Sequence, residues 1–305
     1  MRLARAGVNP TDWKQRAGGT YAALPYDEVV PGQDGAGTVD ALGSGVSGIG
    51  VGDRVWLHMT QHGSAYGTAA EYAVVPLAKA VPLPDGASFD LGAALGVPVI
   101  TAHRALTSGD VERLAPGTLA GTTVLVQGGA GAVGNAAIQL ARWAGATVIT
   151  TVSSAEKGAL ASAAGAHHVV NYREDPVEAT IRAIAPDGVD LIAEVAPAVN
   201  NELDQAVIRD GGTIAIYANN GGDELTLPIR ATFSLNLRYQ FVLLYRIAPH
   251  LIETAVEDIT AALAAGALGV GGDHGLPLTH YPLEDTAAAH DAVEGGAIGK
   301  VLIDL

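Results

Sequence analysis

The 305-residue chain predicts an α/β fold: a doubly wound parallel sheet joined to a second, smaller unit built as an irregular barrel. Three observations carry this expectation. Short valine-containing runs punctuated by Gly and Pro fill residues 1 to about 95, strand and helix patterns alternate from about 97 to 217, and mixed strand and helix return in the tail.

In the first region, residues 37–42, 53–57 and 70–75 read as barrel strands. The next element is the most specific. An apolar strand at 121–127 runs directly into Gly129-x-Gly131-x-x-Gly134 and then into alanine-rich helical spacing that stops at Gly145, and a second strand follows at 146–152. This is a complete βαβ unit of the dinucleotide-binding type. Gly129 permits the tight turn, Gly131 lets the backbone approach a pyrophosphate, and Gly134 lets the helix pack on the sheet. With Ala130, Ala132 and Val133 between them, these residues place unpaired amides and the positive helix end toward the phosphates.

The end of the second strand selects the nucleotide. A ribose 2'-hydroxyl is met there by Asp or Glu, whereas a 2'-phosphate needs hydroxyls or a cation. The strand ends Thr151-Val152-Ser153-Ser154, and Glu156 has the Ser153-x-x-Glu156 spacing of a capping box, so its expected role is to close the next helix. Lys157 is one of four lysines against thirteen arginines, and beside two serines it points to NADPH. As an isolated residue it would read as a solvated helix position.

Further strands at 168–172, 189–193, 212–217 and 237–245 bring the doubly wound sheet to six, and a helix at 250–266 closes it. A strand at 276–280, a helix at 284–294 and a strand at 300–304 then rejoin the first unit. The stretch 239–244 is almost uncharged and forms the last strand of its sheet. Its open edge predicts a two-fold homodimer, the alternative being cover by the same chain.

Composition narrows the function classes. At 49% hydrophobic and 16% charged the chain can bury the cores of about two domains. The net charge of −15 opposes nucleic acid and anionic membrane as partners, leaving small molecules and copies of itself. No cysteine is present, which removes disulfides, thiolate catalysis and cysteine-based zinc sites. No apolar run of spanning length and no signal-peptide core occurs, so a cytoplasmic location is expected.

The segments Ala6-Gly-Val-Asn-Pro-Thr-Asp12, Pro31-Gly-Gln-Asp-Gly-Ala-Gly37, Gly50-Val-Gly-Asp-Arg-Val55, Ala69-Ala-Glu-Tyr72, Gly96-x5-Ala102, Gln127-Gly-Gly-Ala-Gly-Ala-Val-Gly134 and Gly299-Lys-Val301 together resemble the zinc-free quinone oxidoreductases. These form the zeta-crystallin-like branch of the medium-chain dehydrogenase/reductase superfamily. The resemblance implies a GroES-like catalytic domain at 1–96 and 267–305 and a Rossmann cofactor domain at 97–266. Zinc-dependent relatives carry Gly-His-Glu where this chain has Gly32-Gln33-Asp34, so no metal site is expected.

By the same resemblance Asn9 faces the nicotinamide and substrate, Thr101 begins the helix entering the cofactor domain, and Lys157 and Tyr172 flank the adenosine 2'-phosphate. Asn236 and Lys300 lie in segments that approach the cofactor, and Tyr21 stands where the family often places a tyrosine beside the substrate. Solvent is the alternative proton donor. Asn9 before Pro10 can also simply shape a turn, and Tyr172 can be a strand-end core residue. Trp13 can pack on a flat substrate or in the core, and no histidine is assigned a catalytic role.

The implied reaction is hydride transfer from NADPH to a quinone oxygen or an enone β carbon, with the protein orienting and polarising the acceptor. The runner-up is an enoyl or enone reductase of fatty-acid or polyketide type. A different class is a cofactor-binding scaffold or redox sensor. Family members usually carry an initial hairpin before the strand that here reads Arg2-Leu-Ala-Arg5; a misassigned start, an omitted segment and a trimmed domain are the alternatives, and a trimmed domain would favour a scaffold.

Overall fold

The computed structural model describes residues 1–18 and 26–305. They divide into two compact units, Met1–Pro98 with Pro277–Leu305, and Val99–Leu276. In chain order the first unit begins with β1 (Arg2–Val8), whose small residues Ala6 and Gly7 let neighbouring backbone approach closely. Helix α1 (Pro10–Arg16) follows, started by a proline whose missing N–H costs nothing at that position.

Antiparallel strands β2 (Asp34–Thr38), β3 (Arg54–Leu57) and β4 (Ala80–Pro82) come next, then α2 (Phe89–Leu106), inside which the division between units falls at Pro98. Leu3, Val39, Val55, Leu57, Ala73 and Ala80 form one apolar core here. The strand expected at 37–42 is displaced toward the N-terminus, and the stretch 70–75 is no regular strand. It meets the β1 end through Leu3 N–H to Glu71 O and a reciprocal Met1–Ala73 pair, with a single bridge at Tyr72. Pro76 follows at once and removes the next donor.

The second unit alternates strictly. Strands β5 (Thr123–Gln127), β6 (Thr147–Val152), β7 (His168–Asn171), β8 (Val189–Glu194), β9 (Ile208–Ile216) and β10 (Arg238–Phe241) are connected through α3 (Ala132–Trp143), α4 (Ala155–Ala163), α5 (Val177–Ile184), α6 (Pro197–Val207) and α7 (Ile229–Ser234). All pair in parallel in the order β10-β9-β8-β5-β6-β7, and the order reverses between β5 and β8. Such a switch point opens a crevice beyond the strand C-termini where ligands bind. Leu125, Ile149, Val170, Ile192 and Ile214 line one buried face, as β-branched strands covered on both sides should.

The strand expected at 237–245 is shorter. It ends at Phe241, and Leu244–Arg246 turns as a 3₁₀ segment. Helix α8 (Pro249–Ala264) follows. Residues 267–276, expected with the first unit, belong to the second: Gln139 of α3 bonds Gly269 through both amide ends, and Asn135 donates to His274 O (2.7 Å).

The chain then returns as β11 (Leu278–Pro282), α9 (Thr286–Glu294) and β12 (Lys300–Asp304), completing a first-unit sheet ordered β11-β12-β1-β2-β3-β4. Among the described residues no helix is long and apolar enough to cross a membrane.

Candidate active site

Among the described residues, the expected site residues fall mainly in two places, one in each unit. In the second unit β5 ends at Gln127 and the glycine turn begins. A Cβ on Gly129 would lie 2.1 Å from Thr150 Oγ1, and one on Gly134 would lie 2.4 Å from the Gly128 carbonyl oxygen. Neither position accepts a side chain without displacement of its surroundings. Gly131 differs: a Cβ there meets nothing closer than Gly128 O at 3.5 Å. The space beside it is open, so packing within the fold does not require glycine there.

Gly131 is the N-cap of α3, and the first helical bond runs from Asn135 N–H to Gly131 O (2.8 Å). The amides of Ala132, Val133 and Gly134 are therefore left without intrahelical acceptors at the positive end of a 12-residue helix. Ala130 is buried in the turn.

Ser153 and Ser154 follow β6, and Tyr172 follows the adjacent β7, half exposed at 52%. The helix cap is one residue later than expected. Ser154, rather than Ser153, accepts the Lys157 amide (3.3 Å), so Glu156 sits in the exposed first turn and closes no capping box. Ser153 stays in the strand exit because β6 runs extended to Val152 and Ser154 keeps an extended N-cap conformation (φ −162°). The Lys157 ammonium has no ion-pair partner among the described residues.

In the first unit, Lys300 of β12 is buried, and its ammonium donates to Asn9 Oδ1 (2.7 Å) and Val8 O (3.0 Å). Asn9 Nδ2 donates to Asp34 Oδ2 (2.7 Å), and the Asp34 carboxylate also accepts Val97 N–H (2.9 and 3.0 Å). An ammonium only donates, so the Asn9 amide has a fixed orientation. Its second Nδ2 hydrogen meets only Gly7 O at 3.5 Å, a weak contact.

Asp12 accepts Asn9 N–H (2.7 Å), while its other oxygen is buried without a donor. Burial pushes Asp34 up to about 6 against the opposing pull of Lys300, and it pushes Asp12 up to about 7. Burial also lowers Lys300, with Asp34 and Asp12 opposing. Gly96 makes room for this cluster: a Cβ there would lie 2.1 Å from Asp34 Oδ1.

Asn9 and Lys300 are thus direct neighbours. Gly129–Gly134, Ser153, Ser154, Lys157 and Tyr172 cluster at the C-terminal ends of β5, β6 and β7. Thr101 lies well inside α2 rather than at a helix start, because the helix continues through Pro98. Asn236 adopts φ +49° beyond α7, where Asn236 N–H to Phe233 O and Leu237 N–H to Thr232 O close the helix. Its visible role is that stop. Tyr21 lies outside the described residues. Trp13, half-buried on α1, has Lys14 Nζ 5.8 Å from its ring centroid.

Asp12, Asp34, Gln127, Glu194 and Asp204 were not among the expected functional residues, yet all five are buried. The signal available was an acid inside an otherwise apolar strand, as in Val189-Asp-Leu-Ile-Ala-Glu194.

Gln33 is the residue that the resemblance sets against the histidine of zinc-dependent relatives. Its amide is committed within the fold, donating to Gln61 Oε1 (3.0 Å) and accepting His62 N–H (3.1 Å).

Residues 1–85 match the alcohol dehydrogenase GroES-like domain family and residues 132–261 match the zinc-binding dehydrogenase family. The quinone oxidoreductase of Lama guanicoe is 34% identical over 99% of this chain and 87% of its own length. The crystal structure of Escherichia coli quinone oxidoreductase complexed with NADPH is 25% identical with a TM-score of 0.80, covering 100% of this chain and 90% of that one. An NAD-dependent alcohol dehydrogenase superposes over the same shares with a TM-score of 0.85 and 29% identity. With a near-full-length relative above 30% identity, a GroES-like first unit and a doubly wound second one, the chain is an oxidoreductase that belongs to the zeta-crystallin-like quinone oxidoreductase branch of the medium-chain dehydrogenase/reductase superfamily.

Proposed function

We propose that this chain is an NADPH-dependent reductase of quinones or related electron-poor carbonyl compounds that works without zinc. The observation that carries the cofactor is the corner after β6. It offers Ser153, Ser154 and an ion-pair-free Lys157, and no carboxylate stands at the strand end to meet a ribose hydroxyl. The open face at Gly131 and the spare amides of Ala132 and Val133 fit a pyrophosphate. When bound, NADPH supplies the hydride.

The residues of the chain bind and orient. Helix α3 holds the phosphates at its positive end, and Lys157 with Tyr172 brackets the 2'-phosphate. Asn9, its amide held at both ends by Lys300 and Asp34, is assigned to orient the reacting groups, with Thr101 supporting the cofactor. Zinc has no role in this reading because Gln33 replaces the imidazole ligand and the chain has no cysteine. A homodimer formed along the open edge of β10 completes the reading, since Phe241 on that edge is 62% exposed.

Lys157→Ala is expected to weaken NADPH binding about tenfold or more while leaving NADH nearly unchanged, because only the 2'-phosphate contact is lost. Equal losses for both cofactors would remove the argument for NADPH. Purified protein given NADPH with an ortho-quinone and a simple enone in parallel tests the acceptor. Quinone turnover supports the reading, whereas turnover of the enone alone reassigns the chain to enone reduction.

A further inference from the structure

Beneath the glycine turn of the second unit lies a buried polar chain with no assigned role. Glu194 ends β8 and Asp204 stands on α6, and their side chains, 0% and 1% exposed, contact each other. Two ionised carboxylates cannot share such a site, so one must hold a proton.

The hydrogen bonds identify which. Both Glu194 oxygens are acceptors: Oε1 takes the Ala196 amide and Asn200 Nδ2 (3.1 Å), and Oε2 also takes Asn200 (3.3 Å). On Asp204, Oδ1 accepts Gln127 Nε2 (2.9 Å), but Oδ2 is buried with no donor. An oxygen that lacks a donor beside a fully accepting carboxylate is itself the donor. Burial and the adjacent Glu194 both raise Asp204 well above the usual carboxylate range.

The chain continues toward the phosphate site. Gln127 Oε1 accepts Thr151 Oγ1 (2.5 Å), Thr151 Oγ1 meets Gly128 N–H (3.4 Å), and Thr151 O accepts Gly129 N–H (3.2 Å). One proton on α6 is thereby linked through side chains at the ends of β5 and β6 to the backbone of the turn.

We infer that protonated Asp204, with Glu194, Gln127 and Thr151, is a positioning element that holds the Gly128–Gly134 turn in its phosphate-binding shape. Loss of the proton places two anions side by side, breaks the Asp204–Gln127 geometry and loosens the turn. The other titratable groups that sense the pair are Tyr217 on β9, facing Glu194, and Tyr239 on β10, near Asp204. Both are raised, chiefly by burial, and stay neutral with it. Tyr239 is tied to Gln205 (2.9 Å) and Asn201 (2.7 Å) and takes no part in the chain.

This inference rests on NADPH being the cofactor. Its test is direct NADPH titration by fluorescence on the full chain, with melting temperature followed in parallel, from pH 6 to 10. Asp204→Asn keeps an acceptor for Gln127 and a donor for Glu194, so its NADPH Kd at pH 7 should stay within about threefold of wild type. Glu194→Gln and Gln127→Ala should each weaken it about tenfold or more.

The wild-type Kd should also rise toward alkaline pH, with that rise removed in Asp204→Asn. Asp204→Asn weaker than Glu194→Gln, affinities unmoved while only the melting temperature falls, or identical pH profiles for wild type and Asp204→Asn would each overturn the inference. A wild-type chain that binds no NADPH at any pH would instead defeat the cofactor reading.

Discussion

At Gly131 an added methyl group finds open space, whereas at Gly129 and Gly134 it collides with Thr150 and with the Gly128 carbonyl. Two glycines of the motif are therefore required by the fold, whereas the fold leaves room at Gly131, the position proposed to approach a phosphate. Gly131→Ala is expected to melt within about 2 °C of wild type yet bind NADPH about tenfold or more weakly. Gly129→Ala should cost about 1–3 kcal/mol of stability by overpacking. Melting curves and cofactor titrations on the two variants check the contrast, and a Gly131→Ala protein with unchanged affinity would place the phosphates elsewhere.

Among the elements, β10 has the most to lose by exposure. It is a four-residue parallel edge strand carrying Phe241 to solvent, and Ile229 and Phe233 of the preceding α7 are also exposed. Phe241→Glu is expected to convert a dimer to monomers in sedimentation, with the melting of the second unit little changed. A wild-type monomer would remove the edge-pairing proposal. The strands β5 and β6 of the doubly wound sheet were legible because each is rich in apolar and β-branched residues and bounded by turn residues, and the bounds of β12, Lys300 to Asp304, match the expected ones. The stretch 70–75 was misread because alternating apolar residues, among them the 92% exposed Val74, resemble a strand that has no second partner to pair with. The cap at Ser154 was missed by one position since Ser153 offers the same hydroxyl and only the extent of β6 decides between them. Contact partners of Asn9 were beyond reach for another reason: Lys300 lies 291 residues away and meets it only once the sheet is assembled.

Across the whole molecule, buried acids and buried histidines bend stability with pH in opposite senses. Asp34 and Asp12 have folded-state values near 6 and 7, above the ordinary 3.8, so these two sites hold more protons in the native chain than in the unfolded one between about pH 4 and 7. Their contribution is fully present below pH 4 and is lost as pH rises through 6 to 7. Lys300 is shifted the opposite way, and its contribution grows only on the alkaline side, up to its unfolded value. His58, lowered by burial to about 4, gains stability as pH rises toward 6.5 and opposes this trend below that value, so the fall belongs between pH 6.5 and 8: there the melting temperature should drop by about 2 °C or more, and Asp12→Asn should flatten that slope. Calorimetry in matched buffers decides it, and an equal slope in the variant would place the excess proton on another group.

The sheet of the first unit places β12 between β11 and β1, so its central partner is made last. During synthesis β1 has no neighbour on that side, and Asp34 and Asn9 wait without their cation, until the ribosome has delivered Lys300. The intervening unit, contiguous from Val99 to Leu276, can close before then. The charge balance around Asn9 and Asp34 can therefore be completed only after the whole interior segment has been made.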